Sequence, residues 1–276
     1  NKGGYYSTLQ AALDKAAQDS SIDWVQLEQG LTEDVTFNGI DGTVTLKMNG
    51  KKLEWDAGPV LTVNSGILII DGNAVINQTG DETNGNTAGS PASAIKLVNG
   101  KLVFNGELTA QGGKLWANAG GRKPAVLAEG GELEFKNKVF LCGGLTMKGD
   151  STLTGGLKVG SEFTANDNET LAKRIDVSGH STYNLSSLLT DGTALEFMSD
   201  STLLQNASSY KTTGHNVRVV THKHSYHAVQ DRAFWMCDCG VICFHDDTMV
   251  NGICSVCGYA CPHETVENGI CSDCGA

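Results

Sequence analysis

Apolar residues enter the chain at helical spacing. Leu9, Ala12, Leu13 and Ala16 recur at i, i+3, i+4 and i+7, the stripe of one buried helix face. Ser7 and Gln10 stand three apart just ahead of it, the spacing of a capping box. The pattern predicts a short amphipathic helix over about 8–18. Beyond it apolar and polar positions alternate with period two as far as about residue 220, which predicts half-buried strands.

Within that stretch one phrase recurs. Pro59–Gly66 is followed by Ile67–Gly72, Ser93–Gly100 by Lys101–Gly106, and Pro124–Gly131 by Glu132–Asn137. Each is a short strand, an Asn-Gly, Ser-Gly or Gly-Gly turn, and another short strand. Weaker copies follow around Leu145–Leu153, Ile175–Tyr183 and Leu195–Leu203, at spacings from about 19 to about 34 residues. Such a unit cannot bury its own apolar face, but stacked units share a continuous core. Glycine and asparagine at the corners supply the tight or left-handed backbone that the bends need. An antiparallel sandwich also uses short strands and turns, but its hairpins do not demand the same phrase repeatedly. The expected class is all-β, a parallel β-helix over 1–220 with the 8–18 helix capping its first coil.

The opening resembles the N-terminal cap of right-handed parallel β-helix, pectin-lyase-like proteins. Ser7–Ala16 is similar to the helix that plugs their first coil, and strands at Trp24–Leu27, Asp34–Phe37 and Gly42–Leu46 follow in the same order. The resemblance covers about 1–220 and is one of style rather than of strict motif. Many such proteins cleave polysaccharides. Those of the polygalacturonase type resemble one another in an Asn-Thr-Asp, paired-Asp, Gly-His-Gly and Arg-x-Lys set. Here Gly179-His180-Ser181 is the nearest approach, and the body has no Asp-Asp. Lyases of the fold imply a calcium cluster with an Arg or Lys base. Asp81-Glu82 could give oxygens to a hard cation, against the plainer reading of a solvated loop between coils. Trp116 with Arg122-Lys123 could stack on a sugar ring, against that of a cover over the coil edge. His180 and His215 read as surface or corner residues, and Cys142 as a small buried core residue.

Composition changes the picture in one place. Glycine makes up 34 of 276 residues and proline 4, and charged residues are 18%. The formal net charge is -11, which makes nucleic acid a poor partner. No apolar run reaches the roughly 18 residues of a membrane span. The sequence reads as a piece of a longer protein. The cysteines divide it: eight of nine lie between Cys237 and Cys274. From His222 onward two basic residues, Lys223 and Arg232, accompany seven acidic ones, which suits metal ligation better than polyanion binding.

The tail, 221–276, is a tandem repeat. Cys243-x-His245 precedes Cys254-x-x-Cys257-Gly258, and Cys261-x-His263 precedes Cys271-x-x-Cys274-Gly275; both Cys243 to Cys261 and His245 to His263 are 18 residues. A structural zinc ion takes four N/S ligands in a tetrahedron. Cys-x-x-Cys-Gly curls two sulfurs toward one ion and Cys-x-His supplies the other pair. Each unit is far too short to bury a core, so metal would hold its fold. An earlier, degenerate copy offers His222, His224, Cys237 and Cys239, with His227 competing with His222. The expectation is two to three structural Zn²⁺ ions. A disulfide framework would also use an even cysteine count, but it leaves the histidines and Cys-Gly knuckles without a role.

The tail resembles short Cys/His zinc-ribbon-like repeats that follow large extracellular domains in surface proteins of Gram-positive bacteria. That implies an extracellular or cell-surface setting and a spacer, docking or capping role. The expected function is a non-catalytic adhesin or ligand-binding protein facing a host glycan or protein. The rival is a β-helix polysaccharide lyase or glycoside hydrolase whose catalytic groups are scattered along the chain.

Overall fold

The computed structural model describes residues 4–82, 89–115, 122–164, 173–176, 188–204, 209–211, 216–228, 235–239, 242–243, 249–250, 253–255, 266–267 and 270–271. A helix, Leu9–Gln18, buries Leu9, Ala12, Leu13 and Ala16, the face that the periodicity marks. Its cap lies one residue later than the expected capping box. Thr8 is the N-cap, its Oγ1 accepting from Ala11 N at 3.2 Å. Gln10 is drawn away by a strand. Its carboxamide donates to Thr36 O at 2.8 Å and accepts from Thr36 N at 2.7 Å, as a peptide group would. Leu9 N donates to Glu33 Oε1 at 2.7 Å, so a carboxylate faces the positive end of the helix. Thr8→Ala is expected to lower stability by about 1 kcal/mol, read as a shift in the denaturation midpoint at unchanged slope.

The strands after the helix fall into three parallel rows. Val35–Lys47 and Leu61–Asp71 are long enough to serve two rows at once, each crossing from one to the other. The first row runs from 35–37 through 61–63 to Ile95–Leu97, Val126–Ala128, Leu145–Met147 and Lys173–Asp176. The second runs from Trp24–Gln26 through 43–47 and 67–70 to Lys101–Phe104, Glu132–Phe135 and Thr152–Thr154. The third holds Leu31–Thr32, Lys52–Trp55, Ala74–Gln78, Leu108–Gln111, Val139–Cys142 and Glu162–Thr164. Each pass of the chain through the rows adds a strand to each. The pass length varies from 19 residues between Val126 and Leu145 to 34 between Leu61 and Ile95.

Alternation turns every second side chain inward. Leu46, Ile70, Phe104 and Phe135 form one buried column along the second row, and the rings of Phe104 and Phe135 lie 5.6 Å apart. Leu53, Ile76 and Ala110 line the third row, and Val63, Leu97, Ala128 and Met147 the first. Outward positions carry ion pairs that run between passes. Lys101 Nζ meets Glu132 Oε1 at 2.7 Å and Glu134 Oε2 at 3.2 Å, and Thr154 donates to Glu132 at 2.7 Å. Lys101, then Thr154, holds the Glu132 carboxyl below the usual carboxylate range.

The bends between the first two rows close through glycine. Gly66, Gly100 and Gly131 all take positive φ, at 77°, 81° and 76°, a region that side chains strain. They also stack: a Cβ at Gly100 would lie 2.4 Å from Gly66 O, and one at Gly131 2.4 Å from Gly100 O. Polar atoms are satisfied at another corner by Gln78, which is fully buried. Its amide donates to Asp56 O at 3.0 Å and Ser90 O at 2.9 Å, and its carbonyl accepts from Gly80 N at 2.8 Å.

Parallel order does not continue to residue 220. Val217–Thr221 runs antiparallel to Glu162–Thr164 and to Thr193–Phe197, and Ser209–Lys211 runs antiparallel to Lys173–Asp176. The expected copy at Leu195–Leu203 therefore belongs to an antiparallel closure instead. The parallel rows and the antiparallel closure each bury one face and leave the other partly exposed, so both alternate with period two and the hydrophobic pattern does not separate them. Of the expected copy at Ile175–Tyr183, 177–183 lie outside the described residues. Among the described residues no helix is long and apolar enough to cross a membrane.

Candidate metal centre

The body strand Val217–Thr221 leads directly into the tail. Val217 and Val219 point into the core, and Arg218 binds its cross-strand partner Glu196 through Nε at 2.8 Å and Nη2 at 2.6 Å. Thr221 is in register with Thr193, and His222 N extends the pairing by donating to Gly192 O at 2.7 Å. The next residues stay extended. Positions two apart share a face in an extended chain, so His222 and His224 stand together, ring centroids 5.0 Å apart and edge to face.

Facing them is a three-stranded antiparallel sheet of Tyr226–Ala228, Trp235–Cys237 and Ile242–Cys243. Cys237 ends its strand and Cys239 sits in the turn after it, both buried. His222 Nε2 lies 3.0 Å from Cys237 Sγ, and His224 Nδ1 lies 3.3 Å from Cys239 Sγ. The four ligand atoms all fall within 4.8 Å of one another. Zinc bonds of 2.0–2.3 Å at tetrahedral angles separate neighbouring ligand atoms by about 3.3–3.8 Å. The group therefore has the size of a metal cradle that needs only small adjustments. Burial, and then the nearby His222, lowers the pKa of His224, while Asp191 opposes the shift. The neutral imidazole so favoured is the ligand form.

His227 is not in the group. Tyr226 is paired with Cys237, so His227, paired with Met236, points to the other face of the sheet. There its Nδ1 lies 3.7 Å from Asp238 Oδ1, with both side chains largely exposed. The Cys-x-Cys spacing, which departs from the later repeats, still brings both sulfurs to one place.

Two of the four residues expected at the next site also meet. Cys243 Sγ and Cys254 Sγ are 3.5 Å apart and buried; their companions His245 and Cys257 lie outside the described residues. Of the last set, Cys261, His263 and Cys274 lie outside them, while Cys271 ends the strand Ile270–Cys271. The two units share one backbone plan. Met249 pairs with Cys254 and Val250 with Ile253, as Val266 pairs with Cys271 and Glu267 with Ile270. Asn-Gly fills the two positions between the strands in each, the strongest short hairpin signal; the ligand spacing alone did not reveal this. Cys142, Cys237, Cys239, Cys243 and Cys254 are in no disulfide.

The body candidates resolve differently. Asp81 binds Lys114 at 3.0 Å, an ion pair between two connecting segments. Arg122 donates to Gly112 O at 2.8 Å and ties its insertion to the end of the strand Leu108–Gln111. Cys142 is buried, as expected. Trp116, His180 and His215 lie outside the described residues. Reasoning from sequence missed Gly192 and Ala194, the body residues against which the cradle is seated. They lie about 30 positions upstream of the first ligand, and nothing in their local pattern marks them.

The chain matches no protein-family model, no curated protein and no solved structure.

Proposed function

We propose that the chain is a non-catalytic binding rod, a right-handed parallel β-helix ending in structural zinc modules, displayed outside the cell or on its surface. The rows support the β-helix reading, because each pass adds one strand to each row and crossovers between parallel strands are nearly always right-handed. What carries the zinc reading is the set His222, His224, Cys237 and Cys239. It offers two nitrogens and two sulfurs at tetrahedral size, the donor mix that suits zinc. Four protein ligands fill the shell and leave no position for a substrate, as in structural rather than catalytic sites. The Cys243–Cys254 approach and the repeated hairpins support a second and third ion in zinc-ribbon-like units. The ion's chemistry is to bind four donors at once; the protein's part is to hold two thiolates and two neutral imidazoles in place. The binding role itself rests on the resemblance of body and tail to such surface proteins, and a host glycan or protein is the proposed ligand.

Elemental analysis of the purified chain tests the metal. Two to three zinc equivalents are expected, and Cys237→Ser should lose one of them while the rest remain. A chain with no zinc and with its tail thiols oxidised in pairs would establish the disulfide framework instead. The binding role is tested by a screen against glycans and host proteins beside a reducing-sugar assay on mixed polysaccharides. Turnover that disappears on changing one body carboxylate would make the chain an enzyme.

A further inference from the structure

We propose that the metal of the first set is a staple, locking the terminal strands of the body to the tail so that its loss loosens the body's end. The inference rests on the metal reading above and adds to it a role for this particular ion. Its ligands lie where two sheets meet: His222 and His224 in the extended link between them, Cys237 at the end of a tail strand and Cys239 in the turn after it. His222 and His224 follow Thr221 directly, and His222 is still hydrogen-bonded to Gly192 O at 2.7 Å. The histidine half of the cradle is thus an extension of Val217–Thr221 and of its partner Thr193–Phe197. The cysteine half belongs to the tail sheet, through Trp235–Cys237 and its following turn.

Among the described residues the seam between the halves is small. Ala194 of the body packs with Cys237 and Cys239, and Leu203 and Tyr226 lie half-buried against them. One alanine, two cysteines and two half-buried side chains bury little apolar area, so this described part of the seam is weak by itself. An ion at its centre adds four bonds across it, two to each side. Deep in the body the rows have strands on both flanks and a continuous core. The terminal pair shares that core through Leu195, Val217 and Val219, but Thr193–Phe197 is the last strand of its row among the described residues, and its outer edge holds only the short bridge of Glu196 to Leu203. Local opening favours regions of this kind, and a ligand that binds only the closed form suppresses opening by mass action. The staple also touches the next unit, because Cys243 is paired with Trp235 on the same tail sheet.

Hydrogen exchange on the full chain, with mass-spectrometric readout, tests this. Three samples are compared: zinc-loaded wild type, wild type stripped by a chelator and then reloaded, and Cys239→Ser. Residues 193–197 and 217–221 should exchange about 100-fold faster without the metal, for free zinc at about 100 times its dissociation constant. Residues 61–71 and 101–104 should keep their rates, and reloading should restore protection. The reloading arm keeps the test valid if Cys239→Ser does not fold. Should stripping remove zinc and expose 226–228 and 235–237 while 193–197 and 217–221 stay protected, the staple is wrong and the metal site stands. If Cys239→Ser folds and retains as much zinc as wild type, the site itself is wrong, and the staple falls with it.

Discussion

Phe104→Ala is expected to lower the stability of the strand body by about 3–5 kcal/mol, the usual loss for a large aromatic truncated in a core. Phe104 is 1% exposed and lies between Ile70 and Phe135 in the second row's column. Its ring is 5.6 Å from that of Phe135, so alanine removes contacts on two passes at once. The rows on either side are hydrogen-bonded in register and cannot collapse far into the gap. Denaturant unfolding followed by far-ultraviolet circular dichroism measures the loss. Phe135→Ala should cost a similar amount, and the double variant should lose less than the sum, because the two rings share one contact. A loss below about 1 kcal/mol for Phe104→Ala would mean that the column is not packed as described.

Gly100→Ala should cost about 2–5 kcal/mol although it adds a single methyl group. Two terms contribute: about 1–2 kcal/mol for an L side chain at positive φ, and about 1–3 kcal/mol for forced packing. The first follows from φ of 81°. The second follows because the new Cβ would meet Gly66 O at 2.4 Å, a backbone atom fixed by its own row. Two other glycines separate the terms. Gly50 has φ of 68° but nothing within 4 Å of a Cβ, so Gly50→Ala should cost the conformational part alone. Gly42 has open space and no positive φ, so Gly42→Ala should be neutral or slightly stabilising. Equal losses at Gly100 and Gly50 would show that the glycine column is not in contact.

Much of the body could be read from the chain because its signals are local and repeated. The helix face, the inward Val63, Leu97 and Phe104, and the glycine corners each follow from spacing along a few residues. What the chain did not reveal depends on partners distant in sequence. Gln10 looked like a cap residue because the strand edge at Thr36 that claims it is 26 positions away. The antiparallel closure by Val217–Thr221 was hidden because period-two alternation does not encode strand direction. At the candidate metal centre the Cys and His residues were plain, but His222 and His227 were equally eligible by spacing. The pairing of Tyr226 with Cys237 decides between them by turning His227 to the opposite face.

The reversal of strand direction at the end of the rows has a consequence for association between copies. A stack of parallel strands ends in an unpaired edge, which is a template for the first strand of another molecule arriving in the same direction. Among the described residues the first row ends on Ser209–Lys211, antiparallel to the row, and the third on Val217–Thr221, antiparallel to the row, and then Thr193–Phe197, antiparallel to Val217–Thr221. An incoming copy would meet the opposite polarity at Ser209–Lys211; Thr193–Phe197, reversed twice, again runs the way of its row, and its outer edge is occupied by the antiparallel bridge of Glu196 to Leu203 and by Leu204 N donating to Leu195 O at 2.8 Å. Among the described residues the second row ends on Thr152–Thr154, a three-residue strand of threonines around Leu153, too short to recruit a partner firmly. At the opposite end the helix Leu9–Gln18 packs over the first strands. The described rows thus finish on a reversed strand, a bridged strand and a short strand at one end and under a helix at the other, features that disfavour end-to-end propagation.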